Sequence, residues 1–214
     1  MIFADRRDAG RRLGRSLAAK GYKSPVVLAI PRGGVVVGYE VARILGAPLD
    51  VVIPRKIGAP GNPELAIGAV GQDGTLVLDQ GLVRTLGVSE EYLRGECDRQ
   101  SAEIARRLAA YRQGHPAVDL EGMTVIVVDD GIATGATVLA ALRSLRPSRP
   151  ERVVLAVPVA PADTLDRLAS EADEVDCLST PEPFYAVGQF YHHFEQTSDE
   201  EVSDLLDRAR GERL

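Results

Sequence analysis

The chain predicts an α/β fold, a largely parallel sheet flanked by helices, in a single domain over residues 1–214. Val125–Val128 is a β-branched run with no polar face, which suits a strand covered on both sides. Pro25–Ile30 and Leu49–Pro54 are further apolar runs, separated by a helical pattern that ends near Leu45. Such β–loop–α units repeat at spacings suited to crossover connections. With 214 residues, 45% hydrophobic and 26% charged, the chain can bury a substantial core.

In chain order, Asp5–Ala19 predicts a helix, with Ala9, Leu13 and Leu17 spaced four apart and Asp5 placed to cap it. The arginines at 6, 7, 11, 12 and 15 are expected on its solvated face. Strand Pro25–Ile30, the loop Pro31-Arg32-Gly33-Gly34, a helix to Leu45 and strand Leu49–Pro54 follow. Arg55–Pro63 holds Gly58, Pro60, Gly61 and Pro63, and is expected as an irregular or mobile loop. Glu64–Val70 and Thr75–Leu78 predict short strands around a Gly71/Gly74 turn, so 55–78 is read as a flexible loop and antiparallel ribbon.

Residues 80–115 predict a helical insertion: Gln80–Leu86, then a long helix over Ser89–Gln113 stopped by Gly114–Pro116. After Val125–Val128, a helix is expected over Ala136–Leu145, a strand over Arg152–Val157, a helix over Ala162–Ala169 and a last strand at Glu174–Cys177. The tail, 181–214, concentrates Phe184, Tyr185, Phe190, Tyr191, His192, His193 and Phe194. These rings mark either a packed lid contributing to a hood or a recognition wall. Asp199–Ala209 closes the chain as an amphipathic, solvent-facing helix.

Composition excludes some functions. A net charge of −6 and a pI near 5.2 make nucleic acid an unfavoured partner. No apolar run approaches a membrane span and Met1–Arg12 lacks a signal-peptide core, so a cytoplasmic location without membrane contact is expected. Cys97 and Cys177 make no metal motif with the three histidines and read as thiols of a reducing compartment.

The chemistry concentrates in Val125–Val138, VIVVDDGIATGATV. A buried strand ends in Asp129-Asp130, and a loop of small and hydroxyl residues opens a helix whose first backbone N–H groups are free. Such a helix mouth accepts a phosphate. Thr134 and Thr137 could add hydroxyl donors, while Gly131 and Gly135 allow close backbone approach. Adjacent carboxylates repel a bare phosphate. They fit beside one if they hold sugar hydroxyls or reach a divalent cation. The combination points to a phosphorylated sugar or nucleotide.

Pro31-Arg32-Gly33-Gly34 occupies the same kind of position after another strand. Gly33 and Gly34 can present consecutive N–H groups and Arg32 a fork of donors. Open α/β sheets build sites from such loops. One loop could grip a terminal sugar phosphate and the other a pyrophosphate, with Arg55 and Lys56 as further positive charge.

On these residues the sequence resembles the type I phosphoribosyltransferases. Their signature is a hydrophobic strand, two acidic residues, a short loop and a Thr-Gly-x-Thr turn, here Val125–Thr137 with Thr134-Gly135-Ala136-Thr137. The resemblance covers Pro25 to Cys177 and implies the type I fold with a small hood. With PRGG, a Gly/Pro-rich loop and Gly188-Gln189-Phe190-Tyr191, the arrangement also looks like a group of uncharacterised bacterial phosphoribosyltransferase-like proteins.

The resemblance implies Mg²⁺-dependent transfer of the 5-phosphoribosyl group of phosphoribosyl pyrophosphate (PRPP) to a nitrogen acceptor, with release of pyrophosphate. Asp129 and Asp130 would hold the ribose hydroxyls. Gly131, Ile132, Ala133, Thr134, Gly135, Ala136 and Thr137 would wrap the 5-phosphate. Arg32, Gly33 and Gly34 would contact pyrophosphate across a non-proline cis peptide near Pro31-Arg32. Arg55 and Lys56 would join Asp129, Asp130 and Arg32 as catalytic groups, on a loop that closes over the site. Mg²⁺ would be held mainly through PRPP, with help from Asp129 and Asp130. Relatives often form homodimers.

One departure bears on the acceptor. Purine-salvage relatives place an acid at the position of Ala133, where this chain has a methyl group. Acceptor contacts are then expected from Ala133, Tyr185, Phe190 and Tyr191. Two alternatives stay open: a PRPP- or nucleotide-sensing regulator without transfer, and a hydrolase in which water attacks PRPP.

Overall fold

The computed structural model describes residues 1–211. Helix α1, Arg6–Ala18, starts where the Asp5 carboxylate accepts the Asp8 N–H at 2.7 Å, and it buries Ala9, Leu13 and Leu17. Strand β1 (Pro25–Ala29) leads into α2 (Gly33–Leu45) and then β2 (Leu49–Val51). After an excursion come β6 (Thr124–Val128), α5 (Ala136–Ser144), β7 (Arg152–Val159), α6 (Ala162–Leu168) and β8 (Glu174–Ser179). The excursion holds β3 (Arg55–Ala59), β4 (Asn62–Val70), β5 (Leu76–Leu78), α3 (Gln80–Thr85) and α4 (Glu90–Arg112), and α7 (Asp199–Gly211) ends the described chain.

The five strands β2-β1-β6-β7-β8 form one parallel sheet in that order. Alternation along each strand divides its side chains between two faces. Val27, Ala29, Ile126, Val128, Val154 and Ala156 pack with α2 and α7 on one face. Val26, Leu28, Val125, Val127, Leu155 and Val157 pack with α5 and α6 on the other. Burial on both faces is why these runs lack a polar phase.

The excursion departs from expectation at one place. Arg55–Ala59, expected as part of an irregular loop, is strand β3, paired antiparallel with β4 around a turn at Pro60-Gly61. The expected ribbon is present as β4 and β5, so the whole is a three-stranded antiparallel sheet. The helical insertion forms as α3 and α4, capped by the side chains of Asp79 and Ser89. Helix α7 is amphipathic but not free: Val202, Leu205, Leu206 and Ala209 are buried. The last three residues of the tail expected over 181–214 lie outside the described residues.

Two part-buried polar links tie the insertion down, one to the sheet and one to α7. Asp50 of β2, 4% exposed, pairs with Arg112 of α4 at 3.1 Å and accepts the Val51 N–H at 2.8 Å. Tyr111, 1% exposed, donates its hydroxyl to the Asp199 carboxylate at the start of α7. Burial and that carboxylate push the phenol up to about 12. Tyr111→Phe keeps the ring and strips Asp199 of its donor. It should cost about 1–3 kcal/mol and lower Tm by roughly 2–10 °C in a chain of this size. Thermal unfolding checks it, and an unchanged Tm would show that the link is not stabilising.

Among the described residues, no helix is long and apolar enough to cross a membrane. Both cysteines are free thiols.

Candidate functional site

In the sheet, β2 lies on one side of β1 and β6 on the other. The winding therefore reverses between β1 and β6, and their carboxyl ends open the crevice where α/β sheets place ligands. Both loops singled out in the sequence sit there. The Ile30 N–H donates to Val128 O at 2.8 Å, joining the two strand ends. The Pro31-Arg32 peptide is cis, as the family resemblance implies.

The loops touch. A Cβ at Gly33 would overlap Asp130 Oδ2 and stand 2.8 Å from Asp130 Cγ, and one at Gly34 would stand 3.0 Å from Asp129 Cα. Glycine at 33 is thus required by the Asp130 side chain lying against its backbone. The Arg32 side chain is half-buried and makes no hydrogen bond or ion pair among the described residues, and its charge is felt at Tyr111 and Glu200.

The loop after β6 is held from below. The Ile132 N–H donates to Val159 O at 3.0 Å and the Thr164 hydroxyl donates to Ala133 O at 2.9 Å. Gly135 turns with φ +78° and is the N-cap of α5, which has no side-chain cap. The first N–H groups of α5 consequently face the loop without an internal acceptor. Thr137 is half-buried and Thr134 exposed. This concave ring of amides, with the α5 dipole behind it, can take a phosphate.

Electrostatics set the two carboxyls apart. Burial, then the neighbouring Asp130 charge, pushes the Asp129 carboxyl well above the usual carboxylate range. Asp130 is also raised by burial, but Arg6 opposes the rise. Arg6 Nε lies 2.7 Å from Asp130 Oδ2. The Asp129 Oδ1 atom accepts the Asp130 N–H at 2.8 Å.

The aromatic tail lies against this loop. The Tyr191 hydroxyl donates to Asp130 O, and a Cβ on Gly131 would meet the Val187 side chain at 2.5 Å. Phe190 and Tyr191 are 6% and 7% exposed and pack with Phe3 and Phe194. Both rings are thus packed in the tail, while Tyr185 is 84% exposed.

Not every expected residue reaches the crevice. Arg55 donates to Gln100 of α4 at 2.9 Å and Lys56 pairs with Glu64 at 3.0 Å, both within the excursion. Sequence reasoning missed Arg6, expected on a solvated face, which instead pairs with Asp130. Arg7 and Arg11 lie 3.9 and 3.8 Å from buried Glu40 of α2. Arg167 of α6 was also missed. Its guanidinium sits 3.4 Å from Thr134 O and 3.1 Å from the Thr164 hydroxyl, beside the amide ring. A positive charge on the helix after the next strand was the available signal for Arg167. Nothing local marked Arg6.

Residues 5–195 match the model of the phosphoribosyl transferase domain. The chain belongs to that family. A Mycobacterium tuberculosis (strain H37Rv) relative named "Putative phosphoribosyl transferase Rv0571c" is 49% identical over 208 residues, 97% of this chain. The match covers 47% of that protein, so the chain spans about half the length of the curated relatives it matches. The crystal structure of TT1426 from Thermus thermophilus superposes with a TM-score of 0.82 at 48% identity, covering 96% of this chain and 98% of that one. A hypothetical protein from Neisseria gonorrhoeae, solved with bound ppGpp, shares the fold alone, with a TM-score of 0.51 at 15% identity over 98% of this chain and 96% of that one. Within this phosphoribosyl transferase fold, the signature acids and the PRGG loop meet at the β1/β6 crevice.

Proposed function

We propose that this chain transfers the 5-phosphoribosyl group of PRPP to a nitrogen acceptor. The observation that carries the reading is the meeting of the acid pair, the amide ring at α5 and the PRGG loop at one reversal of the sheet. A phosphate at one end, a diol in the middle and a second anion at the other match those three parts in order.

In this reading Asp129 and Asp130 accept from the ribose hydroxyls, the amides of 131–137 with Thr134 and Thr137 hold the 5-phosphate, and Arg32, Gly33 and Gly34 hold pyrophosphate. The acceptor nitrogen lone pair forms the bond to C1 while the bond from C1 to the pyrophosphate oxygen breaks. Pyrophosphate leaves with that electron pair, the configuration inverts, and the acceptor's proton passes to solvent or to pyrophosphate. Positioning and charge complementarity supply the rate, without a protein nucleophile. Among the described residues no group of three acidic, histidine or cysteine side chains is placed to hold a metal ion. Two carboxylates suit Mg²⁺ held chiefly through substrate phosphates, where it would neutralise charge on the departing group. Ala133 and exposed Tyr185 remain the proposed acceptor contacts, while Arg55 and Lys56 enter only as charges on the hairpin.

The test is PRPP-dependent pyrophosphate release across nucleobases and small amines in Mg²⁺. An N-glycosidic product supports transfer. Free ribose 5-phosphate without acceptor would replace transfer by hydrolysis, and saturable PRPP binding without turnover would replace it by sensing. Thr137→Ala should weaken PRPP binding about 10- to 150-fold, the loss of one hydrogen bond to a charged group at about 1.5–3 kcal/mol. Unchanged calorimetric affinity would remove Thr137 from the cradle.

A further inference from the structure

We infer that Arg6 is a positioning residue that couples the Asp130 carboxylate to docking of the C-terminal segment Phe190–Glu195. Its guanidinium has three anchors. Nε pairs with Asp130 Oδ2 at 2.7 Å, Nη1 donates to Glu195 O at 2.7 Å, and Cζ lies 3.8 Å over the Phe194 ring. The side chain is 12% exposed, so it is held in place rather than sampling solvent.

The segment is stitched to the residues just before Arg6. The Phe3 N–H donates to Phe190 O at 2.8 Å, His192 N–H to Phe3 O at 2.9 Å and His193 N–H to Ala4 O at 3.0 Å. Tyr191 stacks on Phe194 with centroids 4.9 Å apart and donates its hydroxyl to Asp130 O. Asp130 is therefore gripped twice, by its carbonyl through Tyr191 of the segment and by its carboxylate through Arg6, which Phe194 and Glu195 of the segment hold in turn. Undocking the segment releases the Tyr191 grip and removes two of the three anchors of Arg6.

Arg6 leaves the site usable. It engages only Oδ2 of Asp130, and the Asp130 side chain also hydrogen-bonds that of Asp129. A ribose hydroxyl that takes the place of the Asp129 contact can bind Asp130 while Arg6 stays, with the carboxylate rotation already fixed. A guanidinium that plugged the site would take both oxygens, as a bidentate pair does. This inference rests on the ribose-binding role proposed for Asp130.

The experiment compares wild type with Arg6→Gln, Arg6→Lys and Asp130→Asn. Amide hydrogen exchange of 186–195 in the free protein reads the coupling, and calorimetric titration with PRPP and Mg²⁺ reads its consequence. Exchange of 186–195 should accelerate at least 10-fold in Arg6→Gln and in Asp130→Asn, with α5 and β7 unaffected. Arg6→Gln should bind PRPP roughly 10- to 100-fold more weakly, and Arg6→Lys should recover part of that affinity. Wild-type exchange in Arg6→Gln would overturn the coupling. Faster exchange with wild-type affinity would reduce Arg6 to a strut for the tail, and tighter binding would make it a plug; either overturns the positioning role. If wild type fails to bind PRPP while both variants loosen the segment, the proposed function fails and the coupling stands.

Discussion

Replacing Asp129 and Asp130 together by asparagine should weaken PRPP binding at least about 100-fold and raise the melting temperature of the free protein. The pair is buried, and the folded-state pKa of Asp129 is raised by that burial and by its neighbour. A carboxyl raised on folding binds more protons in the folded than in the unfolded chain across the window between the two values. Stability therefore falls as pH rises from the ordinary carboxylate value near 4 through the raised folded value. Above the ordinary carboxylate range the buried pair is a cost to the fold, of the kind found at sites built to bind.

Asparagine removes the charge and keeps an oxygen for the Asp130 N–H, which donates to Asp129 Oδ1 at 2.8 Å. The gain is not symmetrical. Asp130 also partners Arg6, so Asp130→Asn strands a half-buried guanidinium and returns part of the benefit. Asp129→Asn alone should give the larger rise, a few degrees, on the order of 1 kcal/mol for a chain of this size. That rise should shrink as pH falls toward 4, where the wild-type carboxyl is already protonated. Ligand binding moves the other way. Two hydroxyl–carboxylate bonds at about 1.5–3 kcal/mol each make the double variant at least about 100-fold weaker. Thermal unfolding from pH 4.5 to 8 and titration with PRPP and Mg²⁺ separate the two effects. Wild-type affinity in the double variant would remove these acids from the ligand site.

That site was legible wherever its parts are contiguous in the chain. The acids, the amide loop and the start of α5 fall within Val125–Val138, and an unbroken β-branched apolar run plus helix spacing place them without tertiary information. PRGG was legible as a loop. The resemblance supplied its partner, since nothing in Pro25–Gly34 says which strand lies beside β1. Arg6 was illegible for a physical reason. Its partner is 124 residues away, and a basic residue at a helix start looks alike whether it meets solvent or a buried carboxylate.

The hairpin shows the opposite failure, where a strong local signal misled. Gly58, Pro60, Gly61 and Pro63 argue for irregular backbone, yet Gly58 lies inside β3. The strands approach so closely there that a Cβ would stand 2.6 Å from Pro63 Cα. The ladder shifts register at Ile57/Gly58 and Gly58/Ala59, so the glycine serves an irregular strand pair rather than a loop. Asp50 is a quieter case. A lone acid in an apolar strand gave no sign that Arg112, on an insertion, would reach it.

Gly33→Ala should cripple the site while leaving the fold intact. Gly33 is the first residue of α2, and alanine is the better helix former there by about 0.5–1 kcal/mol. Against that gain, the new methyl would overlap Asp130 Oδ2 and stand 2.6 Å from Arg6 Nε. Forcing an extra carbon into a packed position costs about 1–3 kcal/mol, so the net should be destabilising by up to about 2 kcal/mol. The methyl relieves itself most easily by turning the Asp130 carboxylate off Arg6. PRPP affinity should fall at least 10-fold even if Tm moves little. Gly95→Ala is the matched control, because a Cβ at this exposed position in α4 meets nothing within 4 Å. It should raise stability by about 0.5–1 kcal/mol and leave affinity alone. Wild-type affinity in Gly33→Ala would mean that Asp130 can swing aside without loss, and that its place against the PRGG backbone is not what receives the ligand.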